Sequence, residues 1–91
     1  MSVLIVGGDH LGKIPAMLKN IGATEIKHVT GRNKRHSSFE ISCQTDVVLV
    51  LIDYVNHDLA LRIKEQARLR GLKVLFSRRA WSDISQKFET A

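Results

Sequence analysis

Six apolar residues, Val47 to Ile52, run without a break between Asp46 and Asp53. A run this short, rich in β-branched residues and flanked by charge, reads as a strand buried on both faces, as in the middle of a parallel sheet. All six are expected to be almost wholly buried. Val3-Leu4-Ile5-Val6 is a second continuous apolar run, within a strand from Ser2 to Val6. Thr24 to Thr30 has only Ile26 and Val29 as strongly apolar positions and reads as an edge strand. Lys73 to Ser77, with Val74-Leu75-Phe76, is a fourth strand.

Between these runs the apolar period lengthens. Ile14, Met17, Leu18 and Ile21 recur at i, i+3, i+4, i+7, one face of a helix that Gly22 ends and in which Pro15 holds an early position. Leu59, Ala60, Ile63 and Ala67 mark a helix from about Asn56, a plausible N-cap, to Arg70, with Gly71 ending it. Trp81, Ile84 and Phe88 mark a last helix, which Ser77 or Ser82 could cap. Strands alternating with helices predict a single α/β domain over residues 1–91 with an open parallel four-stranded sheet. Placing the two most apolar strands centrally gives the order 2-1-3-4. That is half of a Rossmann fold, a flavodoxin-like three-layer sandwich, with its switch point between strands 1 and 3.

One connection breaks the pattern. Gly31 to Thr45 should cross between parallel strands, yet it shows no good amphipathic helix, only a polar loop and a weak Phe39-Glu40-Ile41 segment. One sheet face is therefore expected to be thinly covered there. That, the edge strand and the small size of the chain point to a homodimer.

Composition sharpens the setting. One cysteine, Cys43, excludes an internal disulfide and fits a reducing compartment; no base lies beside it to activate it. Met-Ser-Val-Leu-Ile-Val lacks the basic flank of a secretory signal, and no run approaches the ~20 apolar residues of a membrane helix. A cytoplasmic protein without membrane contact is expected. The formal net charge is +5, which suits an anionic small molecule, an acidic partner or nucleic acid. Arg62, Lys64, Arg68, Arg70 and Lys73 read as a solvated face at and after a helix carboxyl end. Arg32, Lys34 and Arg35 in a loop, and Arg78 and Arg79 after a strand, are harder to explain that way.

The chemistry-bearing residues gather after strands: Asp9 and His10 after the first, His28 to Arg32 at the second, Asp53, Tyr54 and His57 after the third, Ser77, Arg78 and Arg79 after the fourth. In a parallel sheet these ends share one edge, where ligands of such folds bind. Caps and turns also place polar residues at strand ends, so each residue has a structural reading beside the functional one. Gly7-Gly8-x-x-x-Gly12 resembles a phosphate turn but is neither G-x-G-x-x-G nor a P-loop. Gly8 and its neighbours could let backbone N–H groups approach an anion; an ordinary tight turn fits as well. Asp9 could do acid–base work or cap the helix. His57 falls in a first helical turn, where the dipole favours neutral imidazole, the form that ligates metal or haem iron. No zinc spacing is present. Arg78 and Arg79 oppose the dipole at a helix start, so an anion should sit near them: Asp53 or Asp9 within the chain, or a bound phosphate or carboxylate.

Four motifs in order, Val-Gly-Gly-Asp-His-Leu-Gly (6–12), His-Val-Thr-Gly-Arg (28–32), Asp-Tyr-Val-Asn-His (53–57) and Phe-Ser-Arg-Arg-Ala-Trp (76–81), resemble the bacterial domain-of-unknown-function 2325 family across nearly the whole chain. Ala80 departs from the serine more usual there. The resemblance implies a small Rossmann-like bacterial protein and promotes haem among the candidate ligands, with His10, His28 or His57 as iron ligand and arginines on the propionates. A strand ending in Asp53 is also similar to response-regulator receiver domains. Those need an acidic pair after strand 1 and a lysine on a fifth strand, which this chain lacks.

Three functions compete. The first is a non-enzymatic module holding an anionic small molecule or cofactor with Gly8, Asp9, His10, Arg32, Asp53, Tyr54, His57, Ser77, Arg78 and Arg79, haem being its more specific form. The second is nucleic-acid binding through the basic loop and Arg78/Arg79, for which five aromatic residues are a thin supply of stacking platforms. The third is an enzyme with Asp9/His10 or Asp53/His57 as an acid–base pair, which no nucleophile elbow or cofactor fingerprint supports.

Overall fold

Four five-residue strands pair in parallel in the order β2-β1-β3-β4 in the computed structural model, which describes residues 1–30 and 40–90. They are β1 (Ser2–Val6), β2 (Glu25–Val29), β3 (Val47–Leu51) and β4 (Lys73–Ser77). The helices are α1 (Ile14–Asn20), α2 (His57–Arg70) and α3 (Trp81–Thr90), with a short 3-10 turn at Ile52–Tyr54. The sheet order and the layer arrangement are those the sequence pattern predicts.

Side chains of a strand alternate between faces, so each central strand feeds two cores. Val3, Ile5, Leu49 and Leu51 join Ile14 and Leu18 of α1 and Ile84 of α3 on one face. Leu4, Val6, Val48 and Val50 join Leu59, Ile63 and Ala67 of α2 on the other. The register Val3↔Val47 to Val6↔Val50 keeps these sets aligned. Every residue of β3 is buried. Ile52, expected to be buried with them, is 52% exposed. The strand ends at Leu51 and the chain turns, so the alternation that would bury the next residue has stopped. Ile21 is exposed for the same kind of reason: α1 ends at Asn20, one residue before it.

Among the described residues the α2 face carries one helix where the other carries two. Beyond α2, Ile41 is buried in the same cluster as Leu4 and Val6. Its segment is pinned by α2: Gln66 Oε1 accepts from the Ile41 N–H at 2.9 Å, and the Arg70 guanidinium donates to the Ile41 and Ser42 carbonyls at 2.6 and 3.0 Å. Residues 40–46 form no helix, as the polar pattern predicts. The remainder of the crossover lies outside the described residues.

Candidate functional site

The carboxyl ends of β1 and β3 leave the sheet side by side, and the chain after β1 must pass very close to the chain after β3. Gly7 makes that passage: its φ is +109°, and a Cβ there would meet the Leu51 and Tyr54 carbonyl oxygens at 3.0 and 3.1 Å. The Gly7 N–H donates to Val29 O at 2.8 Å and the Gly8 N–H to Tyr54 O at 2.9 Å. Both glycine amides are thus committed within the fold, and neither is left for an anion. The carbonyls of the same two residues lie 2.9 and 3.0 Å from His28 Nε2, which must carry a proton and donate to them. His28 therefore holds the glycine loop, and its Nε2 is unavailable to iron while it does so.

The loop is held from the far side by Arg79. Its Nε donates to the His10 carbonyl at 2.9 Å, and one terminal nitrogen donates to the same oxygen. The Arg79 backbone N–H donates to Asp53 Oδ1 at 3.1 Å, so the β3 turn fixes the point from which the arginine reaches. Between these groups is a cavity of about 260 Å³ lined by Gly8, Asp9, His10, Tyr54 and Arg79. It lies at the switch point between β1 and β3, where open α/β sheets take ligands. Asp9, His10 and Tyr54 are exposed and Arg79 is half-buried.

Other predicted residues have different placements. Ser77 is fully buried, its hydroxyl shared between the Arg78 carbonyl at 2.8 Å and Asp83 Oδ2 at 3.1 Å. The Arg78 N–H donates to the same Asp83 oxygen at 2.9 Å. That backbone bond, reinforced by the Ser77 hydroxyl and opposed by partial desolvation, holds the Asp83 carboxyl below the usual aspartate range. Neither Ser77 nor Ser82 caps α3 in the way the sequence suggests; the carboxylate of Asp83 gathers the approach to the helix instead. An acidic residue in a first helical turn is the signal that would have pointed to Asp83.

His57 begins α2 and lines a separate groove of about 340 Å³ with Ile52, Val55, Ala60, Leu61, Lys64 and Phe76. His10 and His57, both exposed, thus face different depressions, and the structure does not gather them around one ligand. Arg32, with Lys34 and Arg35, lies outside the described residues. Among the described residues no cluster of three or more metal-ligating side chains forms, and no helix is long and apolar enough to cross a membrane.

The chain belongs to the DUF2325 family, described as an uncharacterized protein conserved in bacteria, whose family model matches residues 2–91. No curated protein matches the chain. No solved structure matches it either.

Proposed function

We propose that this DUF2325 member is a ligand-binding module without catalytic activity that takes a compact anionic small molecule at the carboxyl edge of its sheet. The observation that carries the reading is the cavity at the switch point, in which five of the residues singled out in the sequence meet. A guanidinium has five N–H donors. Arg79 uses two on the His10 carbonyl and keeps three for a ligand. His10 and Tyr54 add donors. At about 260 Å³ the cavity falls below the usual ~300–1,000 Å³ of small-molecule sites. A phosphate ester or small carboxylate matches it better than a dinucleotide, whose pyrophosphate would also need the glycine amides. The test is an amide NMR titration with inorganic phosphate and with citrate. Saturable shifts at residues 8–12 and at Arg79, weakened in His10→Ala, are expected. Shifts spread over Arg62, Lys64 and Arg68, unchanged in that variant, would refute the reading.

The groove beside α2 supports haem as a second reading. Ile52, Val55, Leu61 and Phe76 offer an apolar wall, His57 an imidazole and Lys64 a cation for a propionate. His10 and His28 fit less well, the first beside a smaller cavity and the second tied to Gly7 and Gly8. Haemin titration followed by absorbance decides between them: a band lost in His57→Ala and kept in His10→Ala supports this site, and no band in the wild type refutes it.

A further inference from the structure

The two edges of the sheet are unlike. The β2 edge reads Glu-Ile-Lys-His-Val, with Glu25 and Lys27 exposed and 3.8 Å apart. Charges of this kind discourage strand addition. The β4 edge reads Lys-Val-Leu-Phe-Ser, with three apolar residues in a row and Phe76 37% exposed. Among the described residues β4 pairs only with β3, so its outer N–H and C=O groups have no strand partner. Ile52 and Leu61, each 52% exposed, continue the apolar surface from Phe76 toward α2.

We propose that a second copy of this chain docks on β4 in antiparallel fashion, making one continuous eight-stranded sheet across a two-fold axis. The five residues of β4 are complementary to themselves in that direction. Centred on Leu75, the pairing sets Val74 opposite Phe76 of the second copy, twice by symmetry. Aromatic beside β-branched is a favourable cross-strand pair. Both residues lie on the α2 face, as Val48↔Val74 and Val50↔Phe76 show. The pairing therefore brings the two exposed apolar strips together.

On the other face the charges match. Lys73 is exposed and has no ion pair among the described residues. The same register sets it opposite Ser77 of the second copy, whose hydroxyl lies 3.1 Å from its own Asp83 carboxylate. Each lysine thus reaches toward a carboxylate, and no like charges oppose one another. The partner is a second copy because the complementarity is internal to one strand, and it stands apart from the Arg79 cavity.

Sedimentation velocity of the full chain at tens of micromolar should show a dimer. Lys73→Glu sets two carboxylates against each other at both ends of the strand and should weaken the dimer about tenfold or more. Phe76→Glu should do the same, and circular dichroism should show both variants folded. Leu75→Cys in a Cys43→Ser background should crosslink quantitatively when diamide takes up the two thiol hydrogens, because the two Leu75 positions face each other at the axis. A wild type that stays monomeric overturns the proposal. So does a dimer that tolerates both glutamates and does not crosslink at position 75.

Discussion

Helices α2 and α3 start at the same edge of the sheet, yet they are started differently. The N-cap Asn56 accepts from the Asp58 and Leu59 amides, both within the next three residues, at 2.8 and 3.4 Å. The approach to α3 is held by Asp83 from within the helix and by Asp53 from the end of β3. Its Arg79 side chain then reaches across to the carbonyl of His10 after β1. One start is local and can form with its own helix. The other joins the ends of three strands, and the candidate cavity lies inside that join. A site built this way depends on the fold being complete, whereas α2 contributes its apolar face and little to the cavity.

Matched glycine substitutions should show the largest difference between the two regions. Gly7→Ala adds left-handed strain and drives a Cβ against two carbonyl oxygens at 3.0 and 3.1 Å. It should cost about 2–4 kcal/mol. Gly71 caps α2 with φ +63° and nothing within 4 Å of an added Cβ. Gly71→Ala should therefore cost only the strain, about 1 kcal/mol. Urea unfolding midpoints measure both, and equal losses would show that the β1–β3 approach is not tight.

Capping changes come next. Asn56→Ala should destabilise by about 1 kcal/mol, as cap removal usually does. Asp53→Ala should cost a similar amount, about 1–2 kcal/mol for a lost carboxylate cap. What separates them is reach. Amide NMR shifts should stay near residues 56–60 in Asn56→Ala but appear at His10 and Arg79 in Asp53→Ala. Confinement of the Asp53→Ala shifts to residues 52–55 would mean that the three strand ends are not coupled through Arg79.

The same contrast explains what could be read from the chain. The period-2 and period-3.6 patterns carried the sheet order, because Val47–Leu51 and Val3–Val6 have no alternative as central strands. Asn56 and Gly71 marked both ends of α2, because their effects are local. The convergence of Gly8, Asp9, His10, Tyr54 and Arg79 was legible because a parallel sheet brings all strand ends to one edge. Which of the polar residues there are committed to the fold was legible only in part. Asp53, one of the anions expected beside Arg79, does meet it, at the backbone N–H. His28 on the Gly7 and Gly8 carbonyls and Ser77 on Asp83 are contacts whose spacing carries no signal. Ile52 failed for a simpler reason: an unbroken apolar run does not say where the strand stops.

The smallest effect expected is also the most selective. Asp83 is a carboxylate whose acidity is raised mainly by the Arg78 backbone N–H, while α2 is capped by the uncharged Asn56. A carboxyl with a depressed folded-state pKa adds stability above its unfolded value, and that stability is lost as the pH falls through the folded value. For Asp83 the loss begins near the ordinary 3.8 and runs to lower pH. Glu65 on the surface of α2, held down by its bond to Arg68, titrates downward from 4.5 in an overlapping window, so a global melting curve would mix the two. A local signal separates them. The Arg78 amide resonance should move on acidification below about pH 4, while the Ala60 amide, bonded to the Asn56 carbonyl, stays in place. In Asp83→Asn the Arg78 amide should no longer titrate there. If the Ala60 amide moved together with Arg78 in the wild type, the two helix starts would be failing as one unit, and the distinction between a local start and a joined one would not hold.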